Sequence, residues 1–364
     1  MKLVIFGLTV SSSWGNGHAT LWRGLIRALA GRGHRVVFFE KDVPYYATHR
    51  DLLEMPEAEL VLYQSWEEIA SKAEANLCGA DVAMVTSYCP DGVAASQLVL
   101  SSPASLRVFY DLDTPVTLDC LRSGKAVAYL GPNRLRDFDL VLSYTGGRAL
   151  TQLQTDLGAR RVAPLYGSVD PDAHHPMLPS DLFHCDLSYL GTYAADRQEA
   201  LNLLFIEPAR RLPHLKFVIG GAMYPEHFPW TSNIFFARHV APAEHPQFYC
   251  SSALTLNVTR AAMAAMGYCP SGRLFEAAAC GVPILSDYWE GLEQFFEPGR
   301  EILVAQSTDE AISALNLPPD ELARISSAAR ERTLSEHTAE KRAQELEAVL
   351  ESTFAKEELA PLTV

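Results

Sequence analysis

The chain has 364 residues, of which 48% are hydrophobic and 20% charged, a composition that excludes a disordered protein and suggests about two globular domains. The formal net charge of −14 is uneven, because residues 1–165 hold 16 basic and 17 acidic side chains and residues 166–364 hold 14 and 27. Without a basic field, nucleic acid and anionic membrane surfaces are excluded as partners.

No run approaches the roughly 20 apolar residues that span a bilayer, and residues 1–7 predict a buried strand rather than a signal peptide. The seven cysteines are scattered and form no CxxC pair, which indicates free thiols rather than disulfides or structural zinc. We therefore expect a soluble cytoplasmic protein with no integral membrane segment.

In the first half of the chain, short apolar runs alternate with amphipathic segments, a pattern typical of parallel α/β domains. The clearest helix is Ala19–Ala30, whose apolar residues recur at helical spacing and which two glycines follow as a stop signal. The predicted strands are Leu3–Phe6, Arg35–Phe39, Leu60–Tyr63, Val82–Thr86, Leu106–Tyr110 and Leu140–Ser143.

Residues 164–183 contain four prolines and no periodicity, which predicts an interdomain linker. The alternation then restarts, with strands at Leu187–Leu190, Leu215–Ile219, Asn233–Ala237, Ala253–Val258, Val282–Ser286 and Ile302–Ala305, and helices at Ala194–Arg211, Arg273–Cys280 and Thr333–Leu350. Domains are therefore expected at 1–165 and 166–335. Because open parallel sheets bind ligands beyond the carboxyl ends of their strands, we expect the site in a cleft between two facing domains.

The stretch from residue 11 to 18 joins the first strand to the first helix. Its glycines, Gly15 and Gly17, let the backbone approach a ligand closely, and the free amides of the helix start favour an anion. His18 is a candidate base or acid, or a helix-start hydrogen-bonding residue. A dinucleotide site with Glu40 as its acid is an alternative, although the third glycine of that fingerprint is absent. A loop that merely turns also stays open.

A D-x-D pattern, Asp111 and Asp113, directly follows a predicted strand. Paired carboxylates suit a divalent cation, but one of them can instead cap the following turn. We favour Asp113 as a residue that contacts the acceptor or the sugar.

The second predicted domain opens with a strand, Gly191, Thr192 and a helix start, again a layout that binds anions. Arg197 lies in the first turn of that helix, where its charge opposes the helix dipole. A phosphate would explain it, and so would an ion pair with Asp196 or Glu199.

The most specific motif spans residues 269–285. Ser271 predicts a helix N-cap, and Arg273 at the helix start is suited to a diphosphate. Glu276 is a carboxylate in an otherwise apolar helix, where ribose hydroxyls would satisfy it. The alternative is an ion pair between Arg273 and Glu276, three residues apart, worth a few tenths of a kcal/mol.

The run from 270 to 283, Pro-Ser-x-Arg-Leu-Phe-Glu-Ala-x-Ala-Cys-Gly-x-Pro, resembles the donor-site helix of GT-B glycosyltransferases. It is most similar to the CgeB-like, or spore maturation, group, a relative of the large retaining family 4 group. Residues 286–296 and 299–302 continue the resemblance, and residues 166–171 are similar to the interdomain segment of that group.

The resemblance implies an α/β GT-B fold of two Rossmann-like domains, with a helix in 336–364 that crosses back over the first domain. It also implies transfer of a sugar from a nucleotide-diphosphate sugar to an acceptor that the sequence does not name, whether a saccharide, a protein or a small molecule. Members of the group generally need no metal, so no cofactor is expected, and UDP is the expected nucleotide because it is the commonest.

The implied donor site has Glu276 on the ribose, Arg273 near the phosphates and Gly17 approaching them from the first domain. The full set of expected donor-binding residues is Gly15, Gly17, Gly191, Thr192, Arg197, Arg260, Ser271, Gly272, Arg273, Leu274 and Glu276.

One departure concerns the sugar. The family 4 pattern has a second glutamate eight residues before the ribose glutamate, and Tyr268 stands there in this chain. Sugar specificity and stereochemistry therefore stay open, and an inverting reaction would need His18 or Asp113 as its base. The rival functions are a nucleotide-sugar 2-epimerase of the same fold and a non-catalytic sugar-binding or spore-coat protein.

Overall fold

The computed structural model describes residues 1–358 and divides into two compact units. Unit 1 comprises Met1–Tyr166 and the helix that begins at Ala339, and unit 2 comprises Gly167–Thr338. Across residues 1–358, every helix is too short or too polar to span a lipid bilayer.

Unit 1 is built on a seven-stranded parallel sheet in the order β3-β2-β1-β4-β5-β6-β7. Its central strands are runs of Val, Ile and Phe because helices cover both faces of the sheet. The strands are β1 Lys2–Gly7, β2 Arg35–Lys41, β3 Ala58–Tyr63, β4 Val82–Thr86, β5 Leu106–Asp111, β6 Leu140–Ser143 and β7 Val162–Pro164. The helices are α1 His18–Gly31, α2 Pro44–Ala47, α3 Trp66–Leu77, α4 Gly92–Ser101, α5 Thr114–Arg122 and α6 Arg148–Thr155.

Unit 2 repeats this arrangement with six parallel strands in the order β10-β9-β8-β11-β12-β13. The strands are β8 Cys185–Leu190, β9 Phe217–Gly221, β10 Ile234–Arg238, β11 Ser252–Asn257, β12 Ile284–Ser286 and β13 Leu303–Val304. The helices are α7 Gln198–Leu201, α8 Glu207–Arg211, α9 His245–Cys250, α10 Ala261–Met266, α11 Gly272–Ala279, α12 Thr308–Leu315 and α13 Pro319–Glu336.

The predicted helix Ala194–Arg211 is an unbroken helical segment of mixed geometry. A 3₁₀ turn, Ala195–Arg197, leads into α7, and a π-helical turn, Asn202–Ile206, joins α7 to α8. Pro208 lies just after this turn. Because proline lacks an N–H and clashes with the carbonyl four residues earlier, the wider π turn accommodates it within the helix.

The prediction of a single helix over Thr333–Leu350 is wrong, because the helix is interrupted at residues 337 and 338. α13 ends at Glu336, His337 is its C-cap, and the last helix, α14, runs Ala339–Glu358. At the break, Thr338 forms an isolated parallel bridge with Val169. The chain thus leaves unit 2 beside the place where it entered.

α14 belongs to unit 1 and packs on α1. Its residues Ala343, Leu346 and Leu350 are part of the core cluster of that unit. On its polar side, Glu347 accepts from both Arg32 and His34 at 2.5 Å. Unit 1 is therefore complete only with a helix that lies at the far end of the chain.

The predicted linker at 164–183 is irregular, but hydrogen bonds attach it to the rest of the protein. Pro164 ends the edge strand β7, where a missing N–H is tolerated, and the residues from Gly167 onward pack in unit 2. There the amide of Met177 donates to the Cys250 sulfur at 3.3 Å, and the amide of Ser180 donates to the Ser251 hydroxyl at 2.8 Å.

Each sheet reverses its winding direction once, between β1 and β4 in unit 1 and between β8 and β11 in unit 2. Doubly wound sheets bind ligands at this switch point, outside the carboxyl ends of the strands. Two candidate regions follow, one in each unit, and the predicted site residues fall in both.

Candidate functional site

The loop between β1 and α1 in unit 1 is held in one conformation by a buried carboxylate. Glu40 accepts hydrogen bonds from the hydroxyl of Thr9 at 2.7 Å and from the amides of Val10 at 2.8 Å and Ser11 at 3.0 Å. This engagement rules out Glu40 as the ribose-binding acid of a dinucleotide site, the alternative that the sequence left open.

The same loop is fixed on its outer side by Asp51. This carboxylate accepts from the amide and hydroxyl of Ser13 and from the guanidinium of Arg23. Burial of Asp51 opposes its ionisation, but the bonds from Arg23 and Ser13 outweigh that effect and lower its pKa to about 2. Two carboxylates, Glu40 and Asp51, thus hold the loop by hydrogen bonds.

Gly15 and Gly17 lie at the end of this loop. Gly15 has a φ of +61°, a backbone conformation that favours glycine, and a Cβ there would lie 2.9 Å from the hydroxyl of the exposed Tyr45. Gly17 is the N-cap of α1 with ordinary dihedrals, and a Cβ there would meet nothing within 4 Å. Its surroundings leave room for a ligand.

His18 and Asp113, the two predicted catalytic residues, come together in unit 1. The His18 Nε2 and an Asp113 carboxylate oxygen are 3.8 Å apart, and the side chains are 22% and 13% exposed. His18 begins α1, and Asp113 occupies the N-cap position of α5 without making a side-chain cap bond. The His18 Nδ1 is buried and has no hydrogen-bond partner in the described part of the chain.

The two carboxylates of the D-x-D pattern have different roles. Asp111 ends β5, is fully buried, and accepts from the Asp113 amide and the Thr117 hydroxyl, both at 3.1 Å. Its second oxygen is buried and has no hydrogen-bond partner within residues 1–358. Burial raises the pKa of Asp111 to about 7. Asp111 is therefore an interior group, and Asp113 alone is placed to meet a ligand.

Tyr88, which the sequence did not single out, completes this region. It follows β4 with a φ of +62°, a strained conformation for a side chain of this size. Its ring centroid lies 6.2 Å from that of His18. Burial and the nearby Asp113 carboxylate raise the pKa of Tyr88. Backbone strain often occurs at functional sites, and here it singles out Tyr88. Sequence patterns do not reveal such strain.

In unit 2, two glycines bring the ends of β8 and β9 into contact. Gly221 has a φ of +149°, and a Cβ there would lie 2.1 Å from the Gly191 carbonyl oxygen. At Gly191 itself, a Cβ would lie 2.9 Å from both the Arg273 Nη2 and the Tyr189 hydroxyl. Gly191 is therefore required for the close approach of the Arg273 guanidinium to the strand end.

Arg273 is fixed at the switch point of unit 2. Its Nε donates to the carbonyl of Leu190 at the end of β8, and its Nη1 donates to Asn257 at the end of β11 at 2.9 Å. Its guanidinium also lies over the Tyr189 ring, 5.2 Å from the centroid. The arginine that begins α11 thus lies where the topology predicts a ligand.

Two further arginines surround the loop after β8. Arg197 donates to the Thr192 carbonyl at 3.2 Å, and its buried Nε has no hydrogen-bond partner among the described residues. Arg260, the N-cap of α10, pairs with Asp196 at 3.0 Å. The ion pair that the sequence offered for Arg197 therefore belongs to Arg260.

α11 carries the remaining predicted donor residues. Ser271 is its N-cap, as predicted, but the hydroxyl makes no cap bond to the helix amides. A Cβ at Gly272 would lie 4.0 Å from a Glu276 oxygen, in ordinary contact. Leu274 is fully buried, so its side chain packs in the interior of unit 2.

Glu276 is half-buried on α11 and accepts from the Tyr249 hydroxyl at 3.4 Å. Burial opposes its ionisation, but the nearby His174, His245 and Arg273 outweigh burial and lower its pKa. A charged carboxylate is thus held at this position.

The structure brings His174 and His245 to Glu276, which sequence reasoning missed. One ligand atom from each of the three residues lies within 4.8 Å of the others. Burial lowers the pKa of His245 to about 4. The sequence gives little indication of this cluster. His174 falls in a segment without periodicity, and His245, which is followed by a proline, lies 71 positions further along the chain.

Tyr268, at the position where the family 4 pattern has glutamate, is structural. It has a φ of +49°, and its amide donates to the Glu290 carbonyl at 2.6 Å. Its ring lies against Gly291, where a Cβ would approach it to 2.4 Å. The side chain thus packs on the next loop instead of offering a carboxylate.

Residues 197–348 match a family model described as glycosyl transferase-like. No curated protein sequence matches the chain at a significant level. The sequence match therefore covers most of unit 2 and the beginning of α14.

Solved structures match nearly the whole chain. Sucrose-phosphate synthase from Thermosynechococcus elongatus is 14% identical with a TM-score of 0.71, covering 98% of this chain and 100% of that one. HepE from Anabaena, in complex with UDP and glucose, is 15% identical with a TM-score of 0.71, covering 97% and 100%. An alpha-glucosyltransferase in complex with UDP and DNA is 11% identical with a TM-score of 0.67, covering 96% and 99%. The chain therefore has the two-domain GT-B fold of glycosyltransferases.

Proposed function

We propose that the chain is a glycosyltransferase that takes its sugar from a nucleotide-diphosphate sugar. The observation that carries this proposal is the position of α11 at the switch point of unit 2, with Arg273 bound to the ends of β8 and β11 and Glu276 one turn further on. A cation and a carboxylate at this spacing suit a diphosphate and the ribose next to it.

Support for a ribose contact comes from the state of Glu276. Its carboxylate is charged and half-buried, and a charge in such a place is stable only with hydrogen-bond donors around it. The 2′ and 3′ hydroxyls of a ribose supply two donors to the two oxygens of one carboxylate. In our proposal they join the Tyr249 hydroxyl as partners of Glu276.

The diphosphate is assigned to the loop that follows β8. Within the described residues, the hydrogen bonds of Arg273 use Nε and Nη1, which leaves Nη2, beside Gly191, for a phosphate oxygen. The buried and unpartnered Nε of Arg197 is a second donor at this loop. With the amides at the start of α11, these groups would stabilise the leaving diphosphate, so we propose a transfer that needs no metal.

UDP is our proposed nucleotide. Support comes from the related structures, because HepE has been solved with UDP-glucose and the alpha-glucosyltransferase with UDP. We also propose that the chain belongs to the CgeB-like group, on the strength of the motif between residues 270 and 283.

For the acceptor side we propose the region around His18 and Asp113. The carboxylate lies 3.8 Å from the imidazole, so in an inverting reaction Asp113 would orient His18 as the base. The alpha-glucosyltransferase was solved with DNA, but the net charge of −14 argues against a nucleic-acid acceptor here. All seven cysteines are free thiols, which supports a cytoplasmic reaction.

The test is calorimetric titration of the full chain with UDP and with UDP-glucose, repeated for Glu276→Gln. We expect saturable binding by the native chain and about ten- to hundredfold weaker binding by the variant, because hydrogen bonds to a charged group contribute roughly 1.5–3 kcal/mol. Glu331→Gln, an exposed glutamate on α13, is the matched control and should bind as the native chain does.

The proposal is wrong if the native chain binds no nucleoside diphosphate, or if the two glutamine variants bind equally well. Incubation with the nucleotide sugar alone separates the rival chemistry, because an epimerase would interconvert the sugar without an acceptor.

A further inference from the structure

We propose that His174, His245 and Glu276 form a binding site for one zinc ion in unit 2. One atom from each side chain, two imidazole nitrogens and a carboxylate oxygen, lies within 4.8 Å of the other two. Two histidines and one glutamate are a donor set that holds zinc with a fourth position open.

The imidazole of His174 lies beside that of His245, with the ring centroids 5.9 Å apart. His174 is 4% exposed, and among residues 1–358 neither of its buried ring nitrogens has a hydrogen-bond partner. Buried polar groups are nearly always bonded, so a ring with two orphaned nitrogens beside a carboxylate indicates a missing ligand. The backbone fixes its position, because the His174 amide donates to the Asp170 carbonyl at 2.9 Å.

The imidazole of His245 is already oriented as a metal ligand. Its Nε2 lies 3.3 Å from the Val240 carbonyl oxygen, and since a carbonyl only accepts, the proton must be on Nε2. The lone pair is therefore on Nδ1, which is buried and has no hydrogen-bond partner in the part of the chain that the structure describes. A ring N–H donated to a backbone carbonyl is the usual outer contact of a metal-bound histidine.

The dimensions suit a small ion after modest side-chain movement. Tetrahedral zinc with bonds near 2.1 Å places its ligands about 3.4 Å apart, so the group must contract from its present spacing. Imidazole nitrogen favours zinc over magnesium or calcium, which prefer oxygen ligands.

The site shares Glu276 with the ribose contact, and this part of the inference rests on the proposed function. A carboxylate oxygen bound to zinc cannot also accept from ribose hydroxyls. Zinc and the nucleotide should therefore exclude each other, and zinc should inhibit a transfer reaction that itself needs no metal.

The site is tested by titrating the metal-free full chain with Co²⁺, a spectroscopic substitute for zinc, without any nucleotide. We expect one site with the absorption of nitrogen and oxygen ligands, lacking the intense band of thiolate ligation, and displacement of the cobalt by zinc. His174→Ala and His245→Ala should each bind Co²⁺ at least tenfold more weakly. His214→Ala, which removes an exposed histidine of unit 2, should bind as the native chain does.

Absence of saturable binding, or equal affinity in all three variants, would overturn the site. If His174→Ala unfolds early in a thermal scan, His174→Gln replaces it as a variant of similar shape. Competition is measured separately, and zinc should raise the apparent Kd for UDP in the native chain but not in His174→Ala. Cobalt binding without UDP binding would refute the proposed function alone, and UDP binding unaffected by zinc would refute the shared carboxylate.

Discussion

At the residue scale, Asp111 couples the stability of unit 1 to pH. Its pKa is raised by burial from 3.8 to about 7, so folding favours the protonated form. The stability contributed by that form is fully present below pH 3.8 and is lost as the pH rises through 7.

Asp111→Asn removes the ionisation. We therefore predict that the stability of this variant minus that of the native chain increases when the pH is raised from 5 to 8. The expected gain is a few kcal/mol, at about 1.4 kcal/mol per unit of pKa shift. Calorimetric unfolding at the two pH values measures it. The exposed Asp119→Asn on α5 is the control, and an equal response of both variants would contradict the assignment.

The residues of the candidate site differ in how visible they are in the sequence. Arg273 and Glu276 stand out because a charge in an apolar helix is unusual whatever lies around it. His174 and Tyr88 do not, because their significance comes from neighbours that the fold brings together and from backbone strain. The side chain of Leu274 is buried although its neighbour Arg273 reaches the strand ends, since adjacency in a helix does not place two side chains on the same face.

At the scale of elements, α14 is the part of unit 1 whose importance is easiest to measure. Leu346 is 1% exposed within the core cluster that α14 shares with α1. Leu346→Ala should destabilise unit 1 by about 2–5 kcal/mol, because the cavity left behind adds to the lost burial. Glu351→Ala, an exposed position on the same helix, should change stability little. Equal effects would mean that α14 does not contribute to the core.

Strands were predicted more successfully than helix limits. Buried parallel strands are continuous apolar runs that tertiary contacts reinforce, so most lie within a few residues of their predicted positions. β7 was missed because it is three residues long and contains Pro164. The break at 337–338 was missed because the charged periodicity of α13 continues into α14, and only the bridge of Thr338 to Val169 separates them.

At the scale of the whole molecule, the two units have separate cores. We predict that calorimetry resolves two unfolding components and that UDP raises the midpoint of one only, because a ligand stabilises the part that binds it. Leu346→Ala should lower the other component. A single component that responds to both the ligand and the substitution would show that the units unfold together.

The path of the chain through the units has a consequence for biosynthesis. Unit 2 is inserted between Tyr166 and Ala339 of unit 1. On the ribosome, the first half of the protein therefore emerges with one flank of its hydrophobic interior uncovered, while the inserted half has every segment it needs before translation ends. A nascent chain that is halted before α14 should accordingly recruit chaperones to its N-terminal half, unit 1, rather than to the more recently synthesised unit 2.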